Sequence, residues 1–117
     1  MLTVFQRLKA LREFERGELA FARTIEDREL VFEIGLHQAL GTPLTVKQVF
    51  LLVLGSVPTM QRRLARLRRL GVIQRRRAEG DRRSVELLLA PNVLESLGRY
   101  GSLLAAPAAA PDLRAGG

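Results

Sequence analysis

Residues 56–91 are punctuated so tightly that few folds can accept them. Pro58 fits only the first turn of a helix, Ser56 or Val57 stands where its cap belongs, and Gly71 is placed to end it in a left-handed conformation. Two strand-like stretches follow, roughly 72–77 and 84–89, joined through Glu79-Gly80-Asp81, where Gly and Asp accept turn dihedrals. In the second stretch Val85, Leu87 and Leu89 alternate with Ser84, Glu86 and Leu88, the pattern of a ribbon with one buried face. The interval predicts helix, turn, hairpin. It also holds ten arginines: Arg62, Arg63, Arg66, Arg68 and Arg69 on the helix, and Arg75, Arg76, Arg77, Arg82 and Arg83 on the ribbon. A basic helix beside a basic hairpin suits a surface laid against a polyanion.

The positive charge is concentrated in this region. Residues 1–40 carry 6 basic and 7 acidic side chains, residues 41–90 carry 11 and 3, and residues 91–117 carry 2 and 2, in a chain of formal net charge +7. The excess is a footprint on one part of the fold rather than a general solubility device. Of the 19 basic residues only Lys9 and Lys47 are Lys. Planar guanidinium donors suit phosphate and guanine edges, although a GC-rich genome produces the same bias.

At 117 residues the chain is long enough for one core and not for two. Zero cysteines exclude disulfides and thiolate metal sites, and the single histidine, His37, leaves no zinc cluster. No metal or organic cofactor is expected. The first seven residues lack a continuous apolar signal core, and the longest apolar run, 49–54, falls well short of the roughly 20 residues that span a bilayer. A cytoplasmic protein without a membrane partner is the expectation. Glu13, Glu15, Glu18, Glu26, Asp27, Glu29 and Glu33 fall in a mixed-charge helical region that reads as solvated surface. No nucleophile, base and orienting group can be assembled, so the chain is not read as an enzyme and no catalytic residue is assigned.

Upstream, Phe5, Leu8, Leu11, Phe14 and Leu19 fall near helical spacing, predicting an amphipathic helix over 4–22 that Gly17 breaks or ends. Thr24 with an acidic residue at Asp27 resembles a capping box, opening a helix that carries Leu30, Val31, Ile34 and Leu40 and stops near Gly41. Thr45 with Gln48 repeats the capping logic for a helix ending near Gly55. Pro91 precedes an apolar segment read as a helix over 92–104, and the Ala, Pro and Gly sequence of 105–117 is expected to be a disordered tail. The expected organisation is one domain over 1–104: N-terminal helices in 1–41, the helix pair and hairpin in 45–89, and the C-terminal helix in 92–104.

Two helices joined by a tight turn, the second followed by a two-stranded hairpin, make a winged helix-turn-helix. The predicted fold class is therefore mainly α with a small antiparallel β-hairpin (α+β), a winged helix-turn-helix with additional N- and C-terminal helices. Residues 45–89 resemble the winged-helix module of MarR-type bacterial regulators without gaps. Its elements read here as Ser56-Val57-Pro58-Thr59-Met60-Gln61-Arg62, the Leu-x-x-x-Gly-x-Ile signature from Leu67 to Ile73, and Asp81-Arg82-Arg83-Ser84 in the wing. The family dimerises through long terminal helices continuing past the wing, so this chain resembles a short variant.

At about 100° per residue, Met60, Leu64 and Leu67 share one narrow sector with Leu70 at its edge and face the core. Pro58, Arg62, Ala65 and Arg69 point the opposite way, flanked by Gln61 and Arg66. Recognition helices present their first turns to the groove, which makes Thr59, Gln61, Arg62 and Arg66 candidates for base edges, Gln61 toward adenine and Arg62 or Arg66 toward guanine. Arg63, beside the buried stripe, is expected in an ion pair or on a phosphate. On the wing, the resemblance implies that Arg83 enters the minor groove, with Arg82 beside it, and that Asp81 supports the hairpin through a charged hydrogen bond. Arg75, Arg76 and Arg77 alternate about the first strand, so at least one lies along the nucleic-acid backbone.

One segment departs from the family pattern. Residues 49–54, Val-Phe-Leu-Leu-Val-Leu, are apolar on every side, and a helix apolar all round must be covered all round. The expected cover is the N-terminal helix of the same chain or of a second copy, giving a homodimer with its interface in 2–22 and 92–104. The resulting expectation is a sequence-specific regulator of transcription binding double-stranded DNA, acting as a repressor by occupying a promoter. An RNA-binding module and a protein-interaction module built on the 45–54 helix are the alternatives. Nothing in the sequence names a small-molecule effector.

Overall fold

The computed structural model describes residues 1–105 other than Val53 and, for Arg82, the backbone placement alone. The tail expected to be disordered lies, from residue 106 on, outside the described residues. In chain order the elements are α1 (Leu2–Glu18), α2 (Ile25–Ala39), α3 (Val46–Val49), α4 (Val57–Arg69), β1 (Ile73–Ala78), β2 (Asp81–Leu89) and α5 (Pro91–Ala105). This is the mainly α architecture with one antiparallel hairpin that the sequence predicts. The described residues fall in two compact units, Phe21–Leu94 and Met1–Ala20 with those from Glu95 on.

In the larger unit α2 opens on the capping box: Thr24 Oγ1 accepts from the Asp27 N–H at 3.1 Å, and Asp27 Oδ2 accepts from the Thr24 N–H at 3.3 Å. Its buried face, Leu30, Val31 and Ile34, joins Val49, Met60, Leu64 and Leu67, and Ile73, Leu87 and Leu89 of the hairpin, in one core. Two details bring α2 and β2 together. A Cβ at Gly35 would stand 2.9 Å from Leu89 Cδ1, so only glycine admits this approach without a shift. The Leu89 N–H donates to Gln38 Oε1 at 2.8 Å, satisfying a donor that the hairpin leaves unpaired.

Ser56 caps α4 by accepting from the Thr59 N–H at 3.3 Å, Pro58 sits in the first turn, and Met60, Leu64 and Leu67 are buried. The helix ends in a full Schellman motif, with the Gly71 N–H on Arg68 O at 3.0 Å and the Val72 N–H on Leu67 O at 2.9 Å. Gly71 takes φ 74° to make it. The hairpin pairs Ile73 with Leu89 through Arg77 with Val85, then shifts register so that Ala78 meets Asp81, and Gly80 turns the tip at φ 79°. The strands therefore run further into the turn than the alternation pattern indicates. A short pairing before α3 joins β2 as well: Thr45 bridges Glu86, and the Leu87 N–H donates to Leu44 O at 2.8 Å. It is too brief to leave a period in the sequence.

The expected helix over 45–54 is not formed. Thr45 and Gln48 make their capping box, but α3 ends at Val49. Beyond it the backbone tightens, with the Leu51 N–H on Gln48 O at 2.9 Å and the Leu52 N–H on Val49 O at 3.0 Å, three residues back rather than four. Val49 is fully buried, while Leu51 is 78% exposed. A single turn spends its apolar residues on a local core and a loop, so no sleeve around a six-residue apolar helix is required.

In the smaller unit Phe14 of α1 stacks on Tyr100 of α5 with ring centroids 5.6 Å apart. Glu18 Oε2 accepts from Ser96 Oγ at 2.9 Å and from Arg99 Nη2 at 3.1 Å. No residue of α1 is buried, and its apolar stripe of Leu2, Phe5 and Leu8 is exposed, Phe5 to 62%. No described helix is long and apolar enough to cross a membrane.

Nothing stands within 4 Å of where a Cβ at Gly71 would lie, so Gly71→Ala alters only the backbone preference. The left-handed conformation then costs about 1–2 kcal/mol. Urea unfolding should register that loss, and an unchanged midpoint would contradict a left-handed cap at the junction of α4 and β1.

Candidate nucleic-acid interface

The outward face of α4 carries Gln61, Arg62, Ala65, Arg68 and Arg69, all exposed. Thr59 is half-buried, and its Oγ1 accepts from Ser56 Oγ at 2.9 Å and from Arg62 Nη2 at 3.4 Å, tying the first turn to its cap. This ridge separates two concavities. One, of ≈ 540 Å³, is lined by Arg23 and Thr24 ahead of α2 and by Arg62, Ala65 and Arg69 among the α4 residues. The other, of ≈ 240 Å³, lies between Gln61, Ala65 and Arg68 on one side and Arg75 and Leu87 on the other. Ala65 lines both, so a small residue stands at the crest with guanidinium groups on either flank.

Two of the five α4 arginines turn inward. Arg63 Nε donates to Asp27 Oδ1 at 2.6 Å and its Nη1 to Leu54 O at 2.8 Å. The ion pair expected of Arg63 is thus formed, with Asp27 as its partner. Arg66 differs from its expected place among the groove-facing residues: Nη1 donates to Asp27 Oδ2 at 3.4 Å and Nη2 to Phe21 O. Its side chain is 14% exposed, against 6% for Asp27. At the flank of the outward sector Arg66 could face either way, and a buried carboxylate decides it, because an ionised Asp removed from water requires cationic or hydrogen-bonding partners. Asp27 is also where the sequence reading of solvated surface fails. Its capping role was visible at a spacing of three, but the partners in α4 stand 36 and 39 residues away and leave no local signature.

On the hairpin the register sets Arg75 opposite Leu87 and Arg77 opposite Val85, on the face that continues the core, and Arg76 opposite Glu86 on the reverse face. All three arginines are exposed, and Arg76 Nη2 pairs with Glu86 Oε1 at 3.2 Å.

No protein-family model matches the sequence, and no curated protein matches it significantly. The likeness to known proteins is one of structure. S. aureus MepR in complex with DNA aligns with a TM-score of 0.66 at 18% identity, over 97% of this chain and 91% of that one. S. aureus MepR bound to ethidium bromide aligns at 0.59 and 18%, over 89% and 75% of the two chains. Wild-type apo MarR from E. coli aligns at 0.58 and 15%, over 90% and 73%. The chain has the MarR-type winged-helix fold.

Within the winged helix, α3 and α4 are the helix-turn-helix and β1–β2 is the wing. At the wing's bulge Asp81 Oδ1 accepts from the Arg83 N–H at 3.0 Å and Oδ2 from Ser84 Oγ at 3.0 Å. Arg83 is exposed beside the wing tip, and Arg82 lies in the same strand. The sequence-predicted residues thus divide into an α4 group (Thr59, Gln61, Arg62, Arg69) and a wing group (Arg75, Arg76, Arg77, Arg82, Arg83), with Arg66 withdrawn from both. Arg23 and Thr24, which the sequence reading did not propose, line the same groove as Arg62 and Arg69.

The Arg83 N–H and then the Ser84 hydroxyl hold the Asp81 carboxyl below its ordinary range. A carboxyl whose folded value lies below its unfolded value supports the fold above the unfolded value, and that support is lost as pH falls through the folded one. Titration of the Arg83 amide by NMR should therefore show a midpoint lower than that of an unconstrained aspartate, with the wing ordered at neutral pH. A midpoint at or above the ordinary value would contradict the bond.

Proposed function

We propose that the chain is a cytoplasmic, homodimeric regulator of transcription that binds double-stranded DNA in a sequence-specific manner and represses by occupying its operator. The carrying observation is the exposed ridge of Gln61, Arg62, Arg68 and Arg69 beside the arginines of the hairpin, in a fold shared with MepR, which binds DNA in the complex compared above. In this reading α4 enters the major groove. Gln61 pairs with adenine and Arg62 with guanine, both from the first turns of the helix, while Thr59 steadies Arg62. Arg69 and the wing residues Arg75, Arg76, Arg77 and Arg82 neutralise phosphates, which position the protein without reading sequence. Arg83 enters the minor groove, with Asp81 fixing its backbone.

A homodimer follows from the exposed apolar stripe of α1, Leu2, Phe5 and Leu8, which a second copy would cover through 2–22 and 92–104. Two recognition helices about 34 Å apart would then reach successive major grooves of a palindromic site. Light scattering should give a dimer at micromolar concentration, and Phe5→Glu should convert it to a monomer. A monomeric wild type removes this part of the proposal.

Selection of bound duplexes from a random pool, with hairpin RNA and single strands as competitors at fixed salt, tests the whole reading; preference for RNA, or absence of any bound nucleic acid, overturns it. On the recovered site Arg62→Ala should lower discrimination by about 1–3 kcal/mol. Arg83→Ala should instead weaken all duplexes alike and reduce the salt slope by about 0.9. Indistinguishable behaviour of the two variants would count against the division between reading and positioning.

A further inference from the structure

The DNA-binding reading gives Asp27 no part, yet its carboxylate is the most heavily engaged group near the proposed interface. It belongs to α2 but closes on α4, receiving Arg63 Nε at 2.6 Å and Arg66 Nη1 at 3.4 Å, and it also takes the backbone N–H groups of Arg23 and Thr24 at 2.9 and 3.3 Å. Asp27, Arg63 and Arg66 are 6%, 10% and 14% exposed. Each guanidinium has a second anchor outside α4, Arg63 on Leu54 O and Arg66 on Phe21 O. All three side chains line the ≈ 540 Å³ groove that also holds the exposed Arg23, Arg62 and Arg69. The groove thus carries one set of cations open to an anion and a second set held by a carboxylate.

We propose that Asp27 is a positioning residue of the nucleic-acid interface, drawing Arg63 and Arg66 into the seam between α2 and α4 and withholding Arg66 from the phosphate backbone. The inference rests on the DNA-binding reading above and adds the source of its selectivity. Charge-assisted bonds to a buried carboxylate occupy the guanidinium donors that a phosphate would otherwise take. They also limit the roll of α4 about its axis, because Arg63 lies about 100° round the helix from Arg62 and Arg66 lies between them. A freed Arg66 would meet any phosphate irrespective of sequence, raising non-specific affinity and eroding discrimination.

Fluorescence anisotropy on the full chain tests this, using a labelled duplex recovered by selection and a labelled random-sequence duplex across a salt series. Arg66→Gln should leave the slope of log K against log salt unchanged, because Arg66 touches no phosphate; a fall of about 0.9 overturns the proposal. Asp27→Asn should steepen the slope by about 0.9 and tighten the random duplex several-fold, so that the ratio of the two affinities drops. Adding Arg66→Gln to Asp27→Asn should restore the wild-type slope. A merely structural role for Asp27 predicts weaker binding of both duplexes with no steepening, and that result overturns the proposal. If Asp27→Asn does not fold, Arg66→Gln decides alone. A wild type that binds neither duplex removes the DNA-binding reading itself, an outcome distinct from a wild type that binds while Arg66→Gln flattens its slope.

Discussion

A buried carboxylate between two helices holds the basic surface in shape. Removing an ion from water costs several kcal/mol, and leaving a buried pair with one partner missing typically costs about 3–5 kcal/mol, so Asp27 and its guanidiniums constrain one another strongly whatever their net contribution to stability. The same α2 helix that carries Asp27 in its first turn meets β2 further along, where Gly35 admits Leu89 and Gln38 satisfies its N–H. Both outward-facing basic elements are thereby referenced to one helix, α4 through charge and the hairpin through close packing. Their separation is fixed by eight to eleven residues of α-helix, on the order of 12–17 Å at 1.5 Å per residue.

Arginine performs opposite tasks within four turns of α4. Arg62 and Arg69 remain in water, whereas Arg63 and Arg66 are largely buried against Asp27. Helical phase sets Arg63 about 100° from Arg62, whereas Arg66 lies only about 40° from Arg62 and is turned inward by Asp27. Composition counts all of them equally as positive charge, so a net charge overstates the cationic surface available to a partner. The exposed set is smaller, and its arrangement about Ala65 carries more information than its total.

Much of this fold was legible because local signals agreed with one another. Pro58, Ser56 and Gly71 bounded α4, Thr24 and Thr45 opened their helices, and Val85, Leu87 and Leu89 marked the inward face of β2. The failures share a cause. The segment after α3 is held at Leu54 O by Arg63, and whether Arg66 turns outward depends on Asp27. The pairing of Thr45 with Glu86 likewise joins distant segments. Each is a tertiary contact over a sequence separation that periodicity and capping rules do not span. The outward candidates Gln61, Arg62 and Arg69 were within reach of a helical wheel because they answer only to the local phase.

Among the described residues β1 pairs with β2 alone, so its other side is an edge of the sheet. Such a margin invites strand addition by another chain unless it is guarded. Three successive arginines, Arg75 to Arg77, occupy that strand, and their mutual repulsion would oppose stacking of one hairpin on the next. Neutralising them would cost the molecule colloidal protection along with cationic surface, so solubility and ligand affinity are coupled at this margin and cannot be tuned separately.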